Sequence, residues 1–370
     1  MDISAENILS GEAYSFSIVN GIVESLKKIP NKQGLDFYCP GGFCDTQVNG
    51  YLGMDFSDPG LTVEMVDAVS EQMNGIGTFH FFPTIVTRPQ TVIVQNIKTI
   101  LKEVKSNSVA GKSISGIHIE GPFISPVDGP RGAHDLKSVR KASIAEFDEW
   151  LTASEGLLKV ITIAPEIDGA IELIKHAVEN GVVCSIGHSA ANQRQIDEAV
   201  DSGASMSTHL GNGVYSRLER FDNPVFSQLA NPGLSIGLIA DGAHVGAALL
   251  KVVSLCRKRS EIVLVSDLAP MAGMKNGTRM KWGNMNVEIA SDSSVRLAGT
   301  PYLAGAGSSL LNDVLNYSHE TGMIMSDCAK MATINPKMIY KLDCDYSELE
   351  QGKKAELVLF SKNGIKKVWR

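Results

Sequence analysis

Eight short β-rich runs alternate with amphipathic helical patterns through most of the chain, and no other feature restricts its fold as strongly. The runs fall at residues 42–47, 77–82, 115–120, 159–163, 182–187, 205–209, 235–240 and 261–266. Helical periodicity follows at 62–74, 90–104, 143–153, 169–180, 193–201 and 246–258. Strands separated by helices pair in parallel, because a helical crossover returns the chain to the same end of the sheet. Eight such units predict an α/β fold, a (β/α)8 barrel of TIM type.

The ends break the repeat. Residues 1–40 contain AYSFSIVNG and IVESLKKI, and residues 345–370 contain AELVLFSKNGIKKVW with a hairpin signal at Asn363-Gly364. These predict a small β domain of sandwich type, assembled from both termini, and leave 41–344 for the barrel. A third irregular stretch near 278–297 predicts a β-hairpin inserted after the eighth strand.

Composition narrows the possible functions. With 370 residues, 44% of them hydrophobic, the chain can bury a large core, and no Gly/Ser/Pro linker divides it. A net charge of -7 with scattered basic residues argues against a nucleic-acid groove. Six cysteines without a CxxC pair read as reduced thiols. The N-terminus has no basic segment followed by an apolar one, and no apolar run approaches the ~20 residues of a membrane span. The expected location is the cytoplasm, with no membrane or nucleic-acid partner.

On a barrel of this kind chemistry gathers at the C-terminal ends of the strands. There the sequence places Gln47 and Asn49 (DTQVNG), Glu120 (GIHIEGPF), His188 and His209; His244 follows the seventh strand in DGAH, and Asp267 ends the eighth in LVSDLAP. A carboxylate closing an apolar strand, as Glu120 does, is costly to desolvate without a positive partner. Glu120, His188 and His209 together supply one carboxylate and two imidazoles, a catalytic divalent-metal set that keeps a position open; the alternative is three separately satisfied polar residues. Asp267 reads as a general base or as a helix N-cap. His134 (RGAH) and His244 could polarise a carbonyl, and Arg131, Arg217 and Arg220 could grip phosphate, although surface loops are rich in such residues. His118 reads as barrel packing, and His80, His176 and His319 have no evident partner.

The stretches PGGFCDTQVNG, HIEGPF, RGAH, SIGHSAAN, STHLGNGV, IADGAHV, LVSDLAPMAG and ATINPKMIY follow the order and approximate spacing of the N-acetylglucosamine-6-phosphate deacetylases. The chain resembles this group of the amidohydrolase superfamily over almost its whole length. The resemblance implies hydrolysis of the acetamido group of N-acetylglucosamine 6-phosphate to glucosamine 6-phosphate and acetate. The alternatives are N-acetylgalactosamine 6-phosphate as substrate, or a catalytically silent sugar-phosphate binder.

It also implies that Glu120, His188 and His209 hold one divalent ion, expected to be Zn2+, and that Asp267 is the catalytic aspartate. By the same resemblance Ala133 and His134 contact the acetamido end, with His134 stabilising the oxyanion. Asn212, Gly213 and His244 contact the sugar phosphate, Arg220 its phosphate, and Leu303, Ala304 and Gly305 form a late contact. A homodimer is implied, with Arg220 able to reach across the interface. Many relatives open the barrel with His-x-His and can hold two metals, whereas this chain has Gln47 and Asn49. Amide oxygens are poor zinc donors, so one ion per chain is expected, with Gln47 and Asn49 in its outer shell.

Overall fold

Every position of the first barrel strand, Phe43–Val48, is buried, and the second, Thr78–Val86, is buried at eight of its nine positions, as strands covered on both faces require. The structure, a computed structural model, describes residues 2–106, 108–283, 285–300 and 302–370. Six more strands complete the sheet: Ile117–Glu120, Leu158–Ile163, Val183–Ile186, Met206–Ser207, Ser235–Leu238 and Ile262–Leu264. They lie in sequence order, each parallel to the next. A parallel bridge between Val48 and Leu268 joins the first strand to the chain beyond the eighth, so the sheet closes into the expected barrel.

Polar side chains cap the start of several helices. Thr62 accepts from the Met65 amide to start Val63–Gly75, and Ser143 from the Glu146 amide to start Ile144–Ser154. Asn192 and Gln195 cap each other's backbone at the head of Gln193–Asp201. Helices Pro224–Ala230, Leu310–Thr321 and Met325–Lys330 join these, beyond the six that periodicity suggested.

Both termini contribute to one six-stranded sheet. Strands Ile3–Asn7, Ala13–Val19, Ile22–Ile29 and Asp36–Pro40 come from the N-terminus, Leu357–Ser361 and Gly364–Trp369 from the C-terminus. The sandwich takes the form of a single sheet curled on itself. Its edge strand meets residues 353–355 through the Val23 amide to Lys353 O and the Ala355 amide to Gly21 O. Phe16, Tyr38, Leu357 and Ala355 fill the space enclosed.

After the eighth barrel strand come three antiparallel strands, Arg279–Trp282, Met285–Ile289 and Val295–Leu297, one more than a hairpin. Val287, Ile289 and Val295 give this insert a small core of its own. Trp282 Nε1 donates to Asp55 Oδ2 at 3.1 Å, which fastens the insert to the barrel mouth.

Candidate active site

Glu120 closes the third barrel strand and is 3% exposed. Nε2 of His188 and Nε2 of His209 each lie 3.0 Å from its Oε1. His188, His209 and Asp267 leave their strands with φ of 50°, 27° and 52°, three of the eight non-glycine residues with positive φ among the described residues. Such backbone costs of order 1–3 kcal/mol per residue, and it turns each side chain into the barrel mouth.

His188 is fixed from behind. Its Nδ1 donates to Pro130 O at 3.0 Å, and a carbonyl oxygen can only accept. Gly213 has φ 59°, and a Cβ there would stand 2.7 Å from His188 Nδ1, so only glycine lets the loop press against the ring. Nε2 is then the nitrogen that faces the Glu120 carboxylate, as a lone pair wherever the ring carries only its Nδ1 proton. Two lone pairs at 3.0 Å repel unless a cation or a proton lies between them. One carboxylate and two imidazoles so arranged suit a divalent ion.

His134 is the cluster's fourth member. Its Nε2 lies 3.2 Å from His188 Nε2, and its Nδ1 lies 2.8 Å from Thr87 Oγ1. Donor atoms of Glu120, His134 and His188 all fall within 4.8 Å of one another, a grouping that could hold a metal and that includes His134 where the sequence suggested His209.

Electrostatics divide these groups. Burial alone would raise the Glu120 carboxyl, but the His188 and His209 hydrogen bonds outweigh it and hold the group well below the usual range. Burial keeps His134 well below an ordinary histidine. Burial opposes protonation of His209, yet the Glu120 contact overrides it and raises that ring.

Asp267 receives two hydrogen bonds on one oxygen: Gln47 Nε2 donates to Oδ1 at 3.0 Å and Asn49 Nδ2 at 2.8 Å. The outer-shell pair expected from the sequence therefore grips the aspartate and leaves its Oδ2 outside both bonds. Burial, then the charge of Glu120, pushes the Asp267 carboxyl up to about 6. A carboxylate poised there, 8% exposed and beside a metal-type cluster, has the properties of a general base.

These groups lie at the bottom of a cavity of about 520 Å³, lined also by Ala133, Asn212, Gly213, His244, Leu303 and Gly305. The volume suits a ligand the size of a sugar phosphate.

Comparison with known proteins agrees with this geometry. Residues 37–370 match the amidohydrolase family. The chain belongs to the amidohydrolase family. It is 32% identical over 327 residues to the human N-acetylglucosamine-6-phosphate deacetylase, covering 86% of this chain and 78% of the relative. It is 29% identical over 375 residues to an N-acetylgalactosamine-6-phosphate deacetylase of Escherichia coli O157:H7, covering 99% of this chain and 97% of that protein. An aspartate-to-alanine mutant of the Mycobacterium smegmatis N-acetyl-D-glucosamine-6-phosphate deacetylase, solved in complex with N-acetyl-D-glucosamine-6-phosphate, superposes with a TM-score of 0.85 at 25% identity, over 100% of this chain and 97% of that one. The resemblance read from the sequence motifs is upheld.

The remaining expected residues of this amidohydrolase divide between the cavity and its surroundings. His244 Nδ1 donates to Asp241 Oδ2 at 2.8 Å, which orients the ring at the cavity wall. Ala304 is buried, its amide donating to Val295 O in the insert, while Leu303 and Gly305 on either side face the cavity. Arg220 is exposed and does not line the cavity of its own chain. Arg131 does, tied to Asp128 and to His134 O.

Sequence reasoning missed four residues. Arg88, after the second strand, lines the cavity 3.6 Å from Asp55. Trp282 and Met285 bring an apolar wall from the insert. Thr87 contacts His134. Trp282 was the most visible of these, the one tryptophan in the insert.

His118 does pack inside the barrel, its Nε2 2.8 Å from Thr162 Oγ1. His80 meets Ser115, His176 meets Asp148 and His319 meets Glu320, away from the cavity. All six cysteines are free. No helix among the described residues is long and apolar enough to cross a membrane.

Proposed function

We propose that this amidohydrolase removes acetate from N-acetylglucosamine 6-phosphate, leaving glucosamine 6-phosphate. The observation that carries this reading is the convergence of Asp267 with Glu120, His188 and His209 at the bottom of a sugar-sized cavity. Glu120, His188 and His209 would hold one divalent ion, expected to be zinc. When bound, such an ion supplies Lewis acidity toward the acetamide carbonyl and lowers the pKa of water.

The chain's own groups do the rest. Asp267 takes the proton of the attacking water, held in place by Gln47 and Asn49, and returns it to the departing nitrogen. His134 donates to the carbonyl oxygen as negative charge gathers on it. Trp282, Met285 and Leu303 cover the apolar faces of the sugar. His244 and Asn212 meet its polar groups, and Arg220 grips the phosphate. Because Arg220 stands outside its own cavity on a segment that also exposes Tyr215, Leu218 and Phe221, its guanidinium serves a neighbouring copy in a homodimer.

The full-length match to the E. coli N-acetylgalactosamine-6-phosphate deacetylase favours a second reading, in which the sugar is the C4 epimer. Steady-state deacetylation of both 6-phosphates and both unphosphorylated sugars tests the pair. The expected result is a kcat/KM preference for N-acetylglucosamine 6-phosphate. A preference for the galacto sugar establishes the second reading, and no acetate from any of the four overturns both.

A further inference from the structure

We propose that Glu166 is a positioning residue that locks the backbone at His188, and through it sets how tightly the cluster holds a divalent ion. The inference rests on the metal-dependent reading for its purpose, and on bonds outside the cluster for its geometry. Glu166 follows the fourth barrel strand, Leu158–Ile163, in a turn closed by the Ile167 amide to Ala164 O at 3.2 Å. The Ala164 amide donates to Phe123 O at 2.9 Å, which ties this turn to the loop after the third strand. From there the Glu166 carboxylate reaches the loop after the fifth strand. Ser189 Oγ donates to its Oε2 at 2.7 Å, and the Ala190 amide to its Oε1 at 2.6 Å.

The direction of each bond is set by the groups themselves. A carboxylate oxygen accepts, so the serine hydroxyl spends its one proton on Glu166, and Oγ accepts from the Ala191 amide at 3.0 Å. Both oxygens of one side chain thus hold the two residues that directly follow His188. On the other side of the loop, His188 O accepts from the Ser125 amide at 3.0 Å. The helix Gln193–Asp201 does not need this clamp to begin. Asn192 and Gln195 cap each other there, and Asp222 Oδ1 accepts from the Gln193 amide at 2.9 Å.

His188 is the residue that requires such a hold. Its φ of 50° is a left-handed backbone, which a side-chain-bearing residue keeps only where its surroundings enforce it. Relaxation of that turn would swing the imidazole away from Glu120 Oε1, 3.0 Å from its Nε2. The Pro130 contact and Gly213 hold the ring, but neither restrains the peptide that carries it. Ser189 is 2% exposed, so losing the clamp would leave buried polar groups unpaired as well. Glu166 does not line the cavity, and its removal reaches the site only through this loop.

The test measures zinc transfer from the zinc-loaded full chain to a competing chromogenic chelator, alongside the thermal midpoint of the metal-free chain. Glu166→Ala removes both bonds, Glu166→Gln keeps one acceptor oxygen, and Ser189→Ala removes the hydroxyl alone. We expect the zinc dissociation constant to rise about 10- to 100-fold in Glu166→Ala, and by less in the other two. Because Glu166 and Ser189 act on one loop, the Glu166→Ala, Ser189→Ala double variant should lose less than the product of the two single losses. A lowered midpoint with wild-type zinc affinity would show a merely structural glutamate and overturn the proposal, and fully independent losses in the double variant would do the same. Glu166→Gln and Ser189→Ala decide the question if the alanine variant does not fold. A wild-type chain that takes up no zinc overturns the metal reading itself, and this inference with it.

Discussion

Replacing Asp267 by asparagine tests the core of the mechanism, because it changes one function of the residue and preserves its surroundings. Asparagine keeps an Oδ1 that can accept from Gln47 and Asn49 as the carboxylate does at 3.0 and 2.8 Å. The side-chain hydrogen bonds of Asp267 go to Gln47 and Asn49 and not to Glu120, His188 or His209, so metal content should stay at the wild-type level. What disappears is the proton acceptor. General acid-base groups contribute ~10²- to 10⁴-fold, equivalent to roughly 2.7–5.5 kcal/mol of transition-state stabilisation, and kcat should fall by that factor.

The pH profile sharpens the test. The base works only as a carboxylate, so wild-type kcat/KM should fall tenfold per pH unit below the Asp267 pKa, which burial pushes up to about 6. A cation held by the neighbouring ligands stabilises the carboxylate and moves that limb lower. Stability carries the opposite sign: because the folded pKa is raised above 3.8, the metal-free protein loses stability as pH rises from about 4 to about 6, and the asparagine variant lacks this dependence. Acetate release with parallel metal analysis measures both effects. A variant with near wild-type kcat, or one that retains the acid limb, would remove Asp267 as the base.

Further outcomes follow from the same geometry. Because Gln47 and Asn49 spend their amide N–H groups on Asp267, the purified protein should retain about one divalent ion per chain after dialysis against a mild chelator, and two retained equivalents in an active enzyme would refute a single site. Arg220→Ala should weaken phosphorylated substrates by roughly 1.5–3 kcal/mol per lost charge-assisted bond and spare unphosphorylated N-acetylglucosamine; equal losses on both would assign Arg220 a different role. Trp150 is fully buried, stacked on Phe123 at 5.3 Å and bonded to Gln90 Oε1, so Trp150→Ala should cost about 3–5 kcal/mol in denaturant unfolding, and a loss below 1 kcal/mol would contradict the packing. Trp282→Ala should raise KM more than it lowers kcat, since the residue walls the cavity without touching the acid-base groups; a loss confined to kcat would place it in the chemistry.

The parts of this enzyme that were legible from its sequence are those governed by local pattern. A strand buried on both faces is an apolar run, so the fourth barrel strand was expected at 159–163 and lies at Leu158–Ile163. The sixth was expected at 205–209, yet its ladder covers only Met206–Ser207, because the backbone at His209 turns left-handed to bring the imidazole to Glu120. No residue type announces that turn. The candidate metal ligands were recognisable because each is a polar residue at the end of a barrel strand, a position with few structural uses. The groups that orient them were not, since the pairing of Gln47 and Asn49 with Asp267 joins the first strand to the end of the last, and Thr87 meets His134 across two different loops. Such partners are chosen by closure of the barrel, which brings together residues that no spacing relates. This also explains why Gln47 and Asn49 could be recognised as departures from a metal-binding pair before their new use was visible: ligand chemistry is a property of the side chain, whereas the carboxylate they grip is a property of the fold.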